Sequence, residues 1–469
     1  MITLNRVHLL AELKAAAQYV IKRPVQPILA GLLLEVSESA SWRITATDLD
    51  TYYVSSVADN FRPALSAVVN AKEIVSKLSS LTGMTVSISL DDNALTIAGT
   101  GSSIKLNTLG DTADFPVPGM MTGADFIPAV TLTADMVTVL TSKLAPIADQ
   151  TTITSVLHAV CLKPSGNSAR TIAAATDGSR LVTADFAATY SLDKPLLIPA
   201  SVFEKLPNSQ IVLTYNDKTN WLSIWCPDHG FDVYVRPISG QYPSYEQIMP
   251  PVGESQGYRV YDRKELVAAC KAILKTIRSH TDNSARRVIC AAFVGLRVAD
   301  PSGSAVFDLT GQSSDNRSIG LNPNYLLDWL TTQETDRVEL LLTGAQNNKE
   351  THYCKPVMLL DDQFNDHGVR HLLMPVQVKS QWVDKHARSI EQSCEPVGNA
   401  PAAPVRPAKR AKTVKPVAAK RKPVNAAPAP VQAPEMEPSV SAPCAHLRKL
   451  IRDHVLTCRD CKCVVAALK

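Results

Sequence analysis

The sequence lacks the apolar segments that mark membrane-bound and secreted proteins. It contains no run of 18 apolar residues, and residues 1–6 do not form a charged leader followed by an apolar stretch. We therefore expect a cytoplasmic protein that makes no membrane contact. Six of the ten cysteines are scattered singly along the chain, which is typical of proteins from a reducing compartment.

The signatures of several enzyme classes are also absent. The sequence has no Walker loop, no His-Glu-x-x-His motif and no dinucleotide-binding fingerprint. Residues 253–257 match Gly-x-Ser-x-Gly, but they follow a Pro-Pro pair and lack the strand-to-helix setting of a catalytic serine. We interpret them as a linker. A metal-dependent enzyme would have to use Asp48, Asp50, Asp177 or the acidic cluster at 361–366.

The composition describes a long chain with an uneven charge distribution. The 469 residues, 45% of them hydrophobic, suffice for about three domains with cores of their own. The net charge of +4 divides into +9 on residues 395–469 and −5 on residues 1–394. An acidic body argues against a protein that coats DNA with its outer surface, but it allows positive charge concentrated in one place.

A segment that ends in Ala-Thr-Asp occurs twice, at residues 43–50 and 171–181, and a weaker third member begins at Gly295. The spacing of these segments equals the length of a domain and is too long for a solenoid. The sequence therefore predicts three related units. Asp48 and Asp177 stand at equivalent positions of the repeat, which favours a turn-forming role over a shared active site. We predict that no residue is catalytic.

Each unit has the same predicted order of elements. An amphipathic helix comes first, at residues 7–20, 134–148 and 263–280, and two strands follow it. A second helix begins near Asn70, Pro199 or Asn322, and an alternating β-hairpin comes after it. This order predicts an α+β protein with antiparallel sheets on one side and helices on the other.

The predicted boundaries divide the chain into five parts. Three repeated domains occupy residues 1–123, 124–252 and 253–379, a linker rich in Pro, Ala and Lys occupies 380–443, and a small module occupies 444–469. The linker is too poor in apolar side chains to bury a core, so we expect it to be extended. We call the three repeated domains units 1, 2 and 3.

Six short segments of units 1 to 3 match, in order, the bacterial-type DNA polymerase sliding clamps. They are residues 23–35, 46–49, 113–116, 175–181, 242–245 and 373–376. The chain resembles this family over residues 1 to about 379. The resemblance implies three DNA-clamp domains per chain, a head-to-tail homodimer closed into a ring, and helices that line the hole.

The resemblance also implies a function without chemistry. The ring would encircle double-stranded DNA irrespective of sequence and tether a DNA polymerase, with a clamp loader as a further partner, and the clamp body would need no cofactor. Cations that touch phosphates without reading bases allow such a ring to slide. The alternative for each cation is an ordinary solvated surface charge. The candidate DNA contacts are Lys14, Arg23, Lys72, Lys77, Lys143, Lys205, Lys264, Lys271, Lys275 and Arg278.

The family holds its partners in a pocket between its second and third domains. Its side chains are mostly apolar, which suits an extended peptide with two or three apolar anchors, although ordinary core packing is the alternative for Leu, Ile and Val. Carried over by position, the pocket residues are Leu157, Thr176, Gly178, Ser179, Arg180, Leu181, Pro243, Ile248, Leu372, Met374, Pro375 and Val376. Ser179 replaces the family's usual His, and the chain continues far beyond Val376, where its tail either competes with partners or leaves the surface.

For the ring seam, the resemblance implies a contact between an edge strand of unit 1 and unit 3 of the other chain. Ile104 and Leu106 would lie on the edge strand and meet Thr276 and Ile277. Pairing an edge strand across a dimer also protects it from aggregation. Thr276 stands where the family tends to be apolar.

The tail has a second candidate site. Cys444, His446, Cys458 and Cys461 form two close pairs around a spacer of helical character, a spacing that suits structural zinc. Cys463 and His454 are further candidate ligands, and an amphipathic helix with incidental cysteines is the alternative. A rival function follows from this module: a DNA-binding regulator that uses the tail, with units 1 to 3 as a dimerisation scaffold.

Overall fold

We describe a computed structural model of the chain. The described residues are 2–36, 41–58, 65–91, 93–117, 125–151, 155–166, 169–250, 255–279, 291–300, 305–314, 317–343, 355–360 and 367–376. The predicted boundaries between the units, the linker and the C-terminal module lie outside these residues, so those boundaries stay predictions.

Unit 1 contains two helices and eight strands. Asn5 and Asn70 cap the helices, because each side chain accepts hydrogen bonds from backbone N–H groups of the first turn. The helices are α1 (Arg6–Ala16) and α2 (Ala71–Ser80), and the strands are β1 (Ile2–Asn5), β2 (Gly31–Val36), β3 (Ser41–Thr47), β4 (Thr51–Ala58), β5 (Leu65–Asn70), β6 (Thr85–Asp91), β7 (Ala94–Gly99) and β8 (Ser102–Asn107).

Unit 2 repeats this order with shorter helices. The predicted helix 134–148 is divided into α3 (Ala134–Val139), a π-helical turn at 140–144 and a 3-10 turn at 145–147. The 3-10 turn contains Pro146, which has no N–H to donate. The second helix is one turn long. The elements are β9 (Ile127–Leu132), α3 (Ala134–Val139), β10 (Ala159–Pro164), β11 (Thr171–Thr176), β12 (Arg180–Phe186), β13 (Leu196–Pro199), α4 (Ala200–Phe203), β14 (Ile211–Asn216), β15 (Trp221–Cys226) and β16 (Phe231–Val235).

Unit 3 has the longest first helix. Asp262 accepts a 3.0 Å hydrogen bond from the Glu265 N–H at its start, and Asn322 caps the second helix. The elements are β17 (Ser255–Asp262), α5 (Arg263–Ser279), β18 (Ala291–Val294), β19 (Arg297–Ala299), β20 (Val306–Asp308), β21 (Gly311–Ser313), β22 (Ser318–Leu321), α6 (Pro323–Thr331), β23 (Arg337–Thr343), β24 (Val357–Leu360) and β25 (Arg370–Leu373).

Each unit carries two sheets, which we name A and B. Sheet A consists of the mutually paired strands that lie between the first and second helices in the chain. Sheet B consists of the strand before the first helix and the strands after the second helix. In unit 1, sheet A is β5-β2-β3-β4 and sheet B is β1-β6-β7-β8. All pairings are antiparallel. The predicted α+β architecture with repeated clamp domains is confirmed.

Neighbouring units are joined by shared sheets. β4 of unit 1 pairs with β16 of unit 2, so that sheet A of unit 1 and sheet B of unit 2 form one eight-stranded sheet. In the same way β12 of unit 2 pairs with β25 of unit 3 in a nine-stranded sheet. Sheet B of unit 1 and sheet A of unit 3 remain four-stranded, with β8 and β20 as edge strands among the described residues.

The helices pack against the sheets through their apolar faces. In unit 1, Leu9 and Leu13 of α1 and Ile74 of α2 are buried in a core that also contains sheet residues of units 1 and 2. In unit 3, Leu266 and Ile273 of α5 are buried in a second core. The opposite helix faces are exposed, so the helices form one layer and the sheets another. None of the described helices is long and apolar enough to span a membrane.

Candidate functional site

The turn between β11 and β12 is built by its own side chains. The Thr176 hydroxyl accepts a 3.0 Å hydrogen bond from the Gly178 N–H and donates one of 2.6 Å to the Arg180 carbonyl. The Asp177 carboxylate accepts from the N–H groups of Ser179 and Arg180, both at 2.9 Å. Gly178 has a φ of +88°, a left-handed conformation that favours glycine.

The turn between β3 and β4 has the same construction. The Thr47 hydroxyl donates to the Thr51 carbonyl at 2.9 Å, and the Asp48 carboxylate accepts from the Thr51 N–H at 2.7 Å. Both Asp side chains therefore close turns, as their repeat positions predicted. The acidic cluster at 361–366 lies outside the described residues.

Arg180 connects the second turn to unit 3. Its Nε lies 2.9 Å from Asp177 Oδ2, and its Nη1 lies 2.7 Å from Asp328 Oδ2 on α6. The guanidinium also lies 4.5 Å from the ring centroid of Tyr325. Burial is the main cause that raises the pKa of Tyr325, Asp177 adds to it, and a hydrogen bond with Ser179 opposes it. Ser179 and Arg180 thus fasten the turn to the neighbouring unit.

An apolar cluster lies beside this turn, where units 2 and 3 meet. Leu181 of β12 faces Leu372 of β25 across the shared sheet. Both pack in one cluster with Tyr242, Tyr245 and Met358. The two tyrosine rings are 6.2 Å apart and nearly perpendicular, a favourable edge-to-face arrangement.

The segment after β16 is held onto the same sheet. The Lys163 ammonium pairs with Glu246 and lies 4.8 Å from the ring centroid of Tyr245. Partial burial lowers the pKa of Lys163. On the other side, the Met374 N–H donates a 2.9 Å hydrogen bond to the Ser179 carbonyl. These contacts hold the segment 242–249 and the end of β25 against the same sheet, and we call the surface between them the cleft.

The comparisons with known proteins agree with this architecture. Residues 1–119 match the family model described as DNA polymerase III beta subunit, N-terminal domain. The beta sliding clamp of Pseudomonas putida is 25% identical over 399 residues, with 80% of this chain and 99% of the relative covered. Together, the family model, the relatives and the solved structures indicate a bacterial DNA polymerase III beta sliding clamp.

Further relatives extend the similarity along units 1 to 3. The beta sliding clamp of Escherichia coli K12 is 24% identical over 355 residues, covering 73% of this chain and 93% of the relative. The crystal structure of the DNA polymerase III beta subunit of Thermotoga maritima matches with a TM-score of 0.68 at 20% identity, covering 81% of this chain and 99% of that one. This likeness supports the clamp fold.

The sliding-clamp pocket residues named from the sequence differ in their burial. Leu181, Ile248 and Leu372 belong to the apolar cluster. Leu157 is buried in a 3-10 turn, and its neighbour Val156 packs against the cluster. The half-buried members, which are partly accessible to a ligand, are Gly178, Ser179, Arg180, Pro243, Ile248, Met374, Pro375 and Val376.

Sequence reasoning missed three residues of this cleft. Tyr245 and Met358 contribute to the apolar cluster, and Tyr325 contacts Arg180 and Ser179. Tyr245 lies in the segment 242–245, which matches the sliding clamps, but the sequence assigned no role to it. Met358 and Tyr325 come from unit 3, so only the packing of β24 and α6 against unit 2 brings them to the site.

The candidate DNA contacts are placed unevenly. Lys14, Arg23, Lys72, Lys264, Lys271 and Lys275 are exposed. Lys77 and Lys205 are half-buried, and Lys205 lies 3.6 Å from Asp48 and 4.7 Å from the ring centroid of Tyr19. The side chain of Arg278 lies outside the described residues.

Lys143 does not have the place expected of a DNA contact. It is only 6% exposed, and its ammonium donates a 2.8 Å hydrogen bond to the Thr332 carbonyl of unit 3. Because this ammonium is committed to the contact between units 2 and 3, Lys143 is a structural residue. The sequence-based assignment of Lys143 was wrong.

The seam candidates also need one correction. Ile104 is half-buried on the edge strand β8, as expected. Leu106 is only 1% exposed and belongs to the core of its own chain, so its side chain cannot make the expected contact with Thr276 and Ile277 of the other chain. Thr276 is half-buried, and its hydroxyl donates to the Ala272 carbonyl at 3.2 Å. The side chain of Ile277 lies outside the described residues.

The zinc candidates Cys444, His446, Cys458 and Cys461 all lie outside the described residues. Within the described part of the chain, no group of three or more His, Cys, Asp or Glu side chains is arranged to hold a metal ion.

Proposed function

We propose that the chain is a DNA sliding clamp that closes into a ring as a head-to-tail homodimer. The single observation that carries this proposal is the order of the sheets. Sheet A of unit 1 joins sheet B of unit 2, and sheet A of unit 2 joins sheet B of unit 3. Sheet A of unit 3 and sheet B of unit 1 are the two that lack this junction, and they lie at opposite ends of the chain.

A second copy supplies the missing junction twice. β20 of one chain pairs with β8 of the partner. In this junction β20 corresponds to β4 and β12, and β8 corresponds to β16 and β25. Two chains then close a ring of six units in which β8 and β20 are no longer edge strands.

The internal repeat also gives the register of this seam. Within the chain, Tyr53 pairs with Val233 and Val182 pairs with His371. The hairpin pairs identify the equivalent residues of the strands that would meet at the seam. This equivalence supports a register in which Phe307 lies opposite Ile104 of the partner. Both side chains are apolar and half-buried. The same register brings Val306, which is 41% exposed, beside Lys105 of the partner.

The ring performs no bond chemistry. It encircles duplex DNA, and exposed cations on its helices contact phosphates irrespective of sequence. A polymerase bound to the ring remains near the primer end at high effective concentration, which makes each rebinding step intramolecular. This is a processivity function, and it places the protein in the cytoplasm with the replication machinery.

Partners bind the cleft between units 2 and 3. The cleft offers half-buried apolar groups at Ile248, Met374 and Val376 beside the fixed turn of Ser179 and Arg180. An extended peptide with two or three apolar anchors fits this chemistry. The DNA polymerase and the clamp loader would use such peptides in turn.

A retention assay tests the clamp function. The protein is mixed with nicked circular DNA or with the same DNA made linear, and the complexes are separated by gel filtration at about 0.15 M salt. Encirclement requires a clamp loader or prolonged incubation, and it predicts retention on circles and loss from linear ends. Equal retention on both forms contradicts a topological link. Light scattering should give twice the chain mass of 50.7 kDa.

The C-terminal module binds structural zinc. Cys444, His446, Cys458 and Cys461 provide a tetrahedral ligand set for a segment too short to fold on an apolar core. Metal analysis of the purified full chain should find one zinc per chain, and the double variant Cys458→Ser/Cys461→Ser should lose it. A chain without zinc, or a variant that keeps it, contradicts this assignment.

A further inference from the structure

The first helices of the three units expose equivalent rows of side chains. Their N-cap residues, Asn5, Thr133 and Asp262, occupy the same place in the repeat. On a continuous α-helix such as α5, the second, ninth and thirteenth residues after the N-cap lie within about 40° of one another. The nine residues at these positions in the three units are all exposed. They are Val7, Lys14 and Gln18 in unit 1, Asp135, Ser142 and Pro146 in unit 2, and Lys264, Lys271 and Lys275 in unit 3.

The charges of these rows differ sharply between the units. The row of unit 3 carries three lysines, the row of unit 1 carries one, and the row of unit 2 carries a single aspartate. The first-helix segment of unit 2, residues 134–147, contains one cation, Lys143, whose ammonium is bound to the Thr332 carbonyl. This segment therefore has no described cation left to offer a phosphate.

The lysines of α5 are available to a ligand. Lys271 and Lys275 are exposed one turn apart. Lys264 lies 3.2 Å from Asp336, but both side chains are more than three-quarters exposed, and such surface pairs exchange readily because solvent screens them. On the opposite face, Leu266, Cys270 and Ile273 are buried, which fixes the direction in which the lysine row points.

We propose that α5 is the helix that grips DNA in each chain, whereas the first helix of unit 2 contributes no phosphate contact. The inference rests on the proposed function, because it assumes that the first helices face the duplex. Electrostatic attraction falls off within about 8 Å at physiological salt, so the duplex is drawn toward the α5 rows and away from Asp135. DNA binding is then concentrated in unit 3, the unit that also carries the open edge strand β20.

Paired charge variants test the proposal. The variant Lys271→Gln/Lys275→Gln removes two charges from α5. The control Lys194→Gln/Lys218→Gln removes two from exposed positions of unit 2 that pair with Asp217 and Asp125. Fluorescence anisotropy on a short linear duplex is measured from about 50 to 200 mM salt, with circular dichroism and light scattering to confirm that fold and mass are unchanged.

We expect the α5 variant to lose about 1.8, for each chain that grips the duplex, from the slope of log affinity against log salt, since each phosphate contact contributes about 0.9. Across this fourfold salt range, that difference amounts to roughly tenfold in the relative affinities. The control should keep the slope of the unchanged chain. A gain-of-charge variant, Ser142→Lys, should raise the slope by about 0.9 because it gives unit 2 the lysine that units 1 and 3 have at this position.

Two outcomes would overturn the proposal: an α5 variant with the slope of the unchanged chain, or a control that falls as far as the α5 variant. The clamp function fails separately. It is tested by retention of the unchanged chain on nicked circles, whereas the slopes compare variants on linear DNA. If the unchanged chain is retained on nicked circles and the α5 variant keeps the slope of the unchanged chain, only the role of α5 is rejected. If the α5 variant has a smaller slope but the unchanged chain is not retained specifically on circles, only encirclement is rejected.

Discussion

Leu49 and Gly178 occupy the same position in two copies of one turn. Each follows an Ala-Thr-Asp segment, and each has a left-handed backbone, with φ of +79° and +88° respectively. In both turns the hydroxyl of the preceding Thr accepts a hydrogen bond from the N–H of this residue, at 2.8 Å for Leu49 and 3.0 Å for Gly178. The hydrogen bonds of the turn therefore impose this conformation even on a leucine.

This equivalence predicts the cost of a methyl group at position 178. A Cβ added to Gly178 meets no heavy atom within 4 Å, so Gly178→Ala carries only the backbone penalty of a left-handed residue. We expect a loss of about 1 kcal/mol in the free energy of unfolding, measured by urea denaturation. Leu49→Ala, which keeps a side chain at the same φ, should change it by less than about 0.5 kcal/mol. A neutral Gly178→Ala would contradict this account.

Arg259 is a buried cation at a position where the repeat elsewhere has aliphatic residues. It is 0% exposed, and its guanidinium donates to the carbonyls of Phe293 and Arg317. Ile2 and Val130 hold the equivalent positions, counted back from the helix N-caps. We expect Arg259→Ala to cost about 3 kcal/mol or more, because it leaves a cavity and removes the hydrogen bonds to both carbonyls.

Arg259→Met separates these two causes. It keeps most of the volume but also removes the hydrogen bonds to the Phe293 and Arg317 carbonyls, so we expect a cost at least about 1 kcal/mol smaller than that of Arg259→Ala. Thermal and urea unfolding of both variants provide the measurement. Equal costs for Met and Ala would show that hydrogen bonding, and not packing, sets the contribution of Arg259.

Three buried cysteines should resist alkylation in the folded protein. Burial raises the pKa values of Cys161, Cys226 and Cys270 to about 12 each. At pH 8 the reactive thiolate is then present at about one part in ten thousand, far below the fraction in a free cysteine of pKa about 8.5. Iodoacetamide labelling followed by peptide mass mapping should find these sites unmodified in native protein and modified in urea. Rapid native labelling would contradict their burial.

The seam register predicts a residue on which dimerisation depends. Ile104→Asp places a charge opposite Phe307 of the partner, where burying an unpaired carboxylate is costly. We expect the mass from light scattering to fall to that of one chain, 50.7 kDa. Ile127→Asp is the matched control, because Ile127 is exposed on β9, the outermost strand of the eight-stranded sheet. If both variants stay dimeric, the proposed register is wrong.

Local sequence signals predicted most of the elements. Asn5, Asn70 and Asn322 announce helices because their side chains cap the first turn. Alternating apolar residues around polar turns predicted the hairpins of β6 with β7 and β14 with β15, which are confirmed. Such signals act between residues close in the chain, so one sequence suffices to recognise them.

The roles of single side chains depended on distant partners. Lysine is usually a surface residue, but the ammonium of Lys143 donates a hydrogen bond to the carbonyl of Thr332, which lies far away in the chain. Leu106 lies on an edge strand but points into its own core. The cleft needs Tyr325 and Met358 from unit 3, which the pairing of β12 with β25 brings beside unit 2.

The sequence by itself determined the threefold repeat, the turns closed by Asp48 and Asp177, and the starts of the helices, because hydrogen bonds and periodicity within a few residues specify them. Only the tertiary structure decided which sheets join, which edge strands stay open and which lysines face solvent. Those outcomes depend on contacts between residues more than a hundred positions apart in the chain. Whether a side chain is exposed to solvent depends on which of these distant residues pack against it.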